Sequence, residues 1–177
     1  MNSAQSLFDQ LTALRAEQRH PPVHLWHPEH EGSIDIRIDT QGQWFHDGGR
    51  IRRPELVKLF SSILRKDSDG YCLVTPAEKL RIEVEDVPFI AIDAESGQGQ
   101  SGQELIFTTN VGDFVTADRD HPIWVVDPQS NPRPYLMVRD NLAALISRPL
   151  FYRLINDCEE DATGAFLSSC GERFPLS

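Results

Sequence analysis

Apolar and polar residues alternate from Ile34 to Asp39, with Ile34, Ile36 and Ile38 on one face and Asp35, Arg37 and Asp39 on the other. A period of two belongs to a half-buried strand. The run turns at Gln41-Gly42 into Trp44-Phe45, which predicts a β-hairpin over 34–46. The period then lengthens. Leu56, Val57, Leu59, Phe60, Ile63 and Leu64 make one apolar helical face behind Ile51-Arg52-Arg53-Pro54. Pro54 suits a first helical turn, where its missing N–H has no partner to lose. Asp67-Ser68-Asp69-Gly70 should stop this helix, and Tyr71-Cys72-Leu73-Val74 and the alternating Leu80, Ile82 and Val84 predict two further strands.

The succession recurs. Glu104-Leu105-Ile106-Phe107-Thr108-Thr109, a Gly turn and Asp113-Phe114-Val115 echo the first hairpin. Strands are expected near 103–109, 113–117 and 122–126, then a Pro-rich loop over 127–134 and a strand at Tyr135-Leu136-Met137-Val138. A second Arg-led helix is expected at 139–146, with Asp140 as its cap. Arg148-Pro149 should break it, with Leu150, Phe151, Leu154 and Ile155 continuing as another helix. Ser96-Gly97-Gln98-Gly99-Gln100-Ser101-Gly102 reads as a flexible loop, and the tail after Glu159 as irregular and loosely held. Leu7, Phe8, Leu11 and Leu14 predict an amphipathic helix over 3–18, ended by Pro21-Pro22.

Strands and helices in this order, without strict βαβ alternation, predict an α+β fold with antiparallel sheets. The expected architecture is two small lobes, each with a strand-hairpin plus helix core. The boundaries read as an N-terminal helix at 1–21, an N-terminal α+β lobe at 22–87 and a C-terminal lobe at 88–177. Lobes of roughly 60–90 residues bury only about 60% of their chain surface, so each should lean on the other. A junction between two such copies is a favoured place for a ligand.

Charge narrows the partners. The 177 residues carry a net charge of −10, which argues against a nucleic-acid polymer or an anionic membrane. Lys58, Lys66 and Lys79 are the only lysines; the other basic residues are arginines, which grip phosphate or carboxylate in a planar fork. Arg50, Arg52, Arg53 and Lys58 cluster at the first helix, and Arg133, Arg139, Arg148 and Arg153 around the second. They read either as solvated helix faces or as an anion site. Cys72, Cys158 and Cys170 are scattered, and no apolar run is long enough for a signal peptide or membrane span, so a cytoplasmic protein with reduced thiols is expected.

Candidate chemistry is sparse. His20, His24, His27 and His30 crowd one stretch, but Pro21, Pro22 and Pro28 forbid the helix that would align them, so no metal or other cofactor is expected. Glu78, Glu83, Glu85 and Asp86 read as a polar strand face, or as an acid/base pair of a hydrolase using Glu78 and Asp86. Neither a Ser-His-Asp order nor a phosphate-binding Gly loop is present, and the chain reads as a binder rather than a catalyst. In Asp127-Pro128-Gln129-Ser130-Asn131-Pro132-Arg133-Pro134-Tyr135, three prolines pre-order a loop delivering Arg133 and Tyr135. The pair could hold a phosphate and cover a planar base, with Arg139 joining; equally, Tyr135 could pack inward and Arg133 cap a carbonyl.

Three segments carry a resemblance: Gly70-Tyr71-Cys72-Leu73-Val74-Thr75-Pro76-Ala77-Glu78-Lys79, Val84-Glu85-Asp86-Val87-Pro88-Phe89 and Arg133-Pro134-Tyr135-Leu136-Met137-Val138-Arg139-Asp140. With the stretch from Trp44 to Pro54, they resemble the bacterial domain of unknown function 1285 family over residues 22–157. The resemblance implies two lobes with a duplicated core, the second like a pleckstrin-homology domain, and a nucleotide-like ligand between the lobes in a signalling or stress-response role. It implies no catalytic residue.

The combined expectation is a non-catalytic sensor of a small anionic ligand. Arg52, Arg133 and Arg139 would neutralise the ligand, Tyr135 would stack on it, and Thr75, Glu78 and Asp86 would bond its polar edges. The alternative is an interaction module that holds a protein partner through the pleckstrin-like lobe.

Overall fold

The computed structural model describes Ala16 and residues 19–177. The helix expected over 3–18 lies outside the described residues apart from Ala16. Two compact units are present: Arg19–Pro88 with Asp140–Leu142, and a second whose described part is Ala16, Phe89–Arg139 and Ala143–Ser177.

The first unit opens with a 3-10 turn, Val23–Leu25. It continues through β1 (His30–Ile38), β2 (Trp44–His46), β3 (Gly49–Arg50), α1 (Pro54–Ser62), β4 (Leu64–Asp67), β5 (Gly70–Val74) and β6 (Glu78–Val84). The strands form one sheet in the order β3-β2-β1-β6-β5-β4, in which β1 and β6 run parallel and the other pairs antiparallel. The alternation in β1 works as its pattern requires, with Ile36 and Ile38 buried beside Trp44, Leu64, Leu73 and Val74. The Asp39 carboxylate accepts from the amides of Gln41 and Gln43, both at 2.9 Å, and so fixes the β1–β2 turn. Asp47 (φ 48°) and Gly48 (φ 80°) make the two-residue left-handed turn that joins β2 to β3.

Helix α1 is shorter than its apolar face suggested. Ile63 has left the helix, and its carbonyl accepts from Val74 N–H at 3.0 Å, while Leu64 enters β4 opposite Leu73. The β4–β5 hairpin takes these two residues because Ser68-Asp69 supplies its turn, so cross-strand pairing wins over continued helix. Leu59, expected inside, is 60% exposed.

The second unit runs β7 (Phe89–Gly99), β8 (Gly102–Thr109), β9 (Phe114–Thr116), β10 (Ile123–Val126), β11 (Arg133–Arg139), β12 (Leu142–Ile146) and α2 (Arg148–Asn156). Its sheet has the order β10-β11-β12-β7-β8-β9, and β7 runs parallel to β12 through Ala144↔Phe89, Leu145↔Ile90 and Ile146↔Ala91. Read from its other edge, this is the strand order of the first unit: the first and last strands pair in the middle, parallel, and two further strands extend to each side. The mixed α+β fold is therefore built on a duplicated sheet.

Three expectations are corrected. The helix placed at 139–146 is a β-hairpin, because Asp140 (φ 45°) and Asn141 (φ 65°) form a left-handed two-residue turn and Leu142–Ile146 is β12. The helix comes later, with Ser147 as its N-cap and Pro149 inside its first turn, where it opens the helix instead of breaking it. The supposed flexible loop is strand out to Gly99, paired Ser96↔Leu105, Gly97↔Glu104 and Gln98↔Gln103, and only Gln100-Ser101 forms the turn. A Cβ at Gly99 would meet the Glu104 carboxylate, the movable end of that side chain. Finally, the tail is an antiparallel sheet of β13 (Glu159–Asp161), β14 (Gly164–Ser169) and β15 (Glu172–Pro175), which buries Leu167, Phe174 and Leu176.

The short repeat read at 34–45 and 104–115 is real as turn geometry. Asp39 N–H donates to Gln43 O and Gly42 N–H to Asp39 O; likewise Thr109 N–H donates to Asp113 O and Gly112 N–H to Thr109 O. Yet the first turn joins strands one and two of its sheet and the second joins strands two and three. The duplication resides in the strand order, not in these matching turns.

Candidate functional site

In the first unit, Thr75 closes the β5–β6 connection. Its N–H donates to Glu78 O at 2.9 Å, and its hydroxyl oxygen accepts from the amides of Ala77 and Glu78, both at 3.2 Å. That work is structural. Glu78 begins β6 opposite His30, whereas Asp86 lies beyond the far end of the strand at Val84. At ~3.3 Å per residue the two carboxylates stand roughly 20 Å or more apart. They do not converge on one bond, so the geometry gives no acid/base pair. Arg52 is exposed in the chain leading into α1.

In the second unit, Arg133 and Arg139 are the two ends of β11, again about 20 Å apart. Tyr135 between them is 5% exposed, its ring stacked on Trp124 with centroids 5.6 Å apart. It packs inward and offers no face to a base. Arg139 donates to Asp113 at 2.7 Å and lies over the Phe89 ring at 5.1 Å. The pair's side chains are 15% and 7% exposed, so it is largely removed from water. Arg133, Tyr135 and Arg139 therefore do not gather around one anion.

Several other charges are matched. Arg65 binds Asp67 through Nε at 2.8 Å and Nη2 at 3.0 Å, and its Nη1 donates to the carbonyls of Val23 and Trp26. Lys79 reaches Asp67 at 2.8 Å. Hydrogen bonding to Arg65, with help from Lys79, holds the Asp67 carboxyl below its ordinary range. Burial pushes the neighbouring Cys72 thiol up, away from the reactive thiolate. This network ties the 3-10 turn to the sheet. Arg37–Glu85, Arg81–Asp69, Arg153–Asp93 and Arg173–Asp161 are further ion pairs.

Arg119, Arg133 and Arg148 are likewise exposed without a carboxylate partner among the described residues, but singly, whereas one basic group is clustered. Arg50, Arg52 and Arg53 are exposed in the segment that enters α1, and none meets a carboxylate among the described residues. Lys58 is exposed on the same helix, and Glu55 is the acidic residue of its first turn. Arg53 is the N-cap residue, has no side-chain cap bond, and precedes Pro54. The segment is fixed from below: Ile51 N–H donates to Trp44 O at 2.8 Å, and the buried Trp44 ring stacks on Phe60 of α1. The positive end of a helix dipole thus meets added positive charge, the reverse of the usual preference. Sequence reasoning grouped Arg50, Arg52, Arg53 and Lys58 at this helix and chose Arg52 as a ligand residue, but could not tell them from Arg139 and Arg153, whose partners Asp113 and Asp93 lie far along the chain.

Among the described residues no group of His, Cys, Asp and Glu could hold a metal ion, and none of their helices is long and apolar enough to cross a membrane. His20, His24, His27 and His30 lie along the 3-10 turn and the start of β1.

Fold and charges together define a duplicated α+β protein with a basic helix entrance and no assembled catalytic group among its predicted site residues. The chain belongs to the DUF1285 family: residues 21–87 match the family described as domain of unknown function (DUF1285), N-terminal domain, and residues 88–176 the protein of unknown function (DUF1285), C-terminal domain. It is similar to the crystal structure of a DUF1285 family protein from Silicibacter pomeroyi DSS-3, at 45% identity and a TM-score of 0.82 over 94% of this chain and 93% of that one. It is also similar to a DUF1285 family protein from Shewanella baltica OS155, at 29% identity and a TM-score of 0.55 over 70% of this chain and 92% of that one. No curated protein matches the chain.

Proposed function

We propose that this protein binds a small anionic, phosphate-bearing ligand without transforming it, in a signalling or stress-response role. The carrying observation is the set of Arg50, Arg52 and Arg53 without carboxylate partners at the entrance of α1, in a chain whose net charge is −10. Guanidinium forks and the first-turn N–H groups of a helix both complement phosphate oxygens. An acidic protein that leaves these arginines unmatched has a place where an anion is attracted locally while polyanions are repelled overall. A nucleotide fits that chemistry.

A thermal-shift series with mononucleotides, dinucleotides and inorganic pyrophosphate tests the reading. At a hundredfold excess over its dissociation constant a ligand adds about 2.7 kcal/mol of stability. The shift should disappear in Arg52→Gln/Arg53→Gln and persist in Arg133→Gln. Absence of any shift across the series, or a shift indifferent to Arg52 and Arg53, overturns it.

A second reading, a protein-interaction module, is favoured by Tyr152 and Ile155, which are 58% and 40% exposed one turn apart on α2. Photo-crosslinking from position 152 in cells tests it; a specific partner captured there and lost in Ile155→Asp supports it, and no adduct removes it.

A further inference from the structure

Helices α1 and α2 are each nine residues long, but they sit differently in their units. α2 buries Leu150, Phe151 and Leu154, whereas the buried residue of α1 is Ser61. Ser61 marks the inward side of α1, and Phe60 beside it stacks on the buried Trp44 ring. At about 100° per residue, Leu56, Leu59 and Ile63 lie roughly 140–200° round the helix from Ser61. Their spacing is i, i+3 and i+7, so the three make one apolar stripe along the outer side. Leu59 at its middle is 60% exposed, and Leu56 and Ile63 at its ends are half-buried. The helix is packed on one side and carries a second apolar side that its own unit leaves uncovered.

The charge beside the stripe is mostly of one sign. Residues 50–62 carry Arg50, Arg52, Arg53 and Lys58 against Glu55 alone, all of them exposed. The complement of this surface is an apolar stripe with carboxylates beside it. An anionic membrane is a poor match, because it would face a chain of net charge −10. A second copy packed α1 against α1 is also a poor match, since it would bring two sets of the same cations together. A helix of another protein meets both demands, laying its own apolar ridge along the stripe.

We infer that the outer side of α1 is a docking surface for an acidic amphipathic helix of a partner protein. The partner's apolar residues sit along Leu56, Leu59 and Ile63, and its carboxylates face Arg52, Arg53 and Lys58. The inference goes beyond the phosphate-bearing ligand proposed above and does not rest on it, because it depends on the leucines.

The experiment is an amide NMR titration of the full chain with designed helical peptides of about 20 residues. The first has leucines at i, i+3, i+4 and i+7 and glutamates on its other face. A second has lysines in place of the glutamates, and a third has the composition of the first in scrambled order. A fourth carries residues 3–18 of this chain. The acidic amphipathic peptide shifts the amides of Leu56, Leu59 and Ile63 in a saturable way, and the other three leave them in place at equal concentration. Leu59→Asp, at an exposed position, abolishes these shifts and leaves any nucleotide-induced rise in melting temperature as in the parent. Arg52→Gln/Arg53→Gln weakens peptide binding several-fold. The inference is overturned if the acidic peptide moves none of these amides at millimolar concentration, if any other peptide acts equally, or if Leu59→Asp binds as tightly as the parent. It is likewise overturned if the parent self-associates in sedimentation, or floats with phosphatidylglycerol vesicles, in a way that Leu59→Asp removes.

Discussion

The first unit inserts α1 between its third and fourth strands; in the second the same step, from β9 to β10, is a short loop, and α2 follows the last strand instead. The strand order is unchanged. A helix that can occupy either place is not what specifies the sheet. The hairpin turns and the central parallel pair do that, and the helix is an attachment that can carry charge. The two attachments carry it differently: exposed Arg50, Arg52 and Arg53 lead into α1 without carboxylate partners among the described residues, whereas Arg153 in the last turn of α2 is paired with Asp93.

The deepest test of this comparison is in the cores. Trp44 and Phe107 are 1% and 0% exposed, one in each unit. Replacing either by alanine should cost about 3–5 kcal/mol in chemical denaturation. The two should diverge on milder change. Trp44 Nε1 is buried without a hydrogen-bond partner, and an unpaired buried donor costs about 1–3 kcal/mol. Trp44→Phe should therefore lose clearly less than its lost volume predicts. A loss equal to that of Trp44→Ala would show that the indole N–H has a partner in solution.

Next come the ion pairs. Arg139→Ala strands Asp113 in a largely buried position and should cost about 3 kcal/mol, whereas Arg37→Ala breaks a pair whose side chains are 36% and 37% exposed and should cost under about 1 kcal/mol. Equal losses would mean that burial does not set the second unit's pair apart from the first unit's surface pair.

The two left-handed hairpin turns predict a smaller contrast. Gly48→Ala should cost about 1–2 kcal/mol because alanine is strained at φ 80°, while Asn141→Gly should be neutral or slightly stabilising at φ 65°. Thermal melts of both variants decide it.

The smallest effects are in pH. Asp67 in the first unit is held below its ordinary value chiefly by Arg65. Its contribution is complete above the ordinary carboxylate range, near pH 4, and is lost as pH falls through the lowered folded value. Asp67→Asn should flatten the acid limb of the stability curve. Asp161 in the second unit is also lowered, by Arg173 and Thr163, but it lies at the surface with its side chain 40% exposed. Molar salt should erase the Asp161 contribution and leave most of that of Asp67. An acid limb unchanged in Asp67→Asn would count against the network.

Much of the fold was legible. The isoleucine alternation in β1, the Gly turns and the Pro54 entrance to α1 each follow from one local rule. The errors share a cause. Leu142-Ala143-Ala144-Leu145-Ile146 has no period that separates helix from strand, and the left-handed Asp140-Asn141 turn decided it. Ser96 to Gly99 has linker composition, yet β8 holds its backbone, a pairing that side chains do not announce. The site was less legible still. Whether an arginine is free depends on carboxylates elsewhere: Asp113 lies 26 residues from Arg139 and Asp93 lies 60 from Arg153. Spacing along the chain cannot show that match.

The central parallel pairing governs how each unit comes into being. β1 waits for β6, and β7 waits for β12, before either sheet has its middle. During synthesis the first sheet cannot close until residue 84 has emerged, and until then β1 offers an unpaired edge. The second repeats the wait from residue 89 to 146. The nascent chain therefore passes twice through a half-sheet state, and each passage is a window in which a chaperone, or another copy of the same strand, can find an open edge.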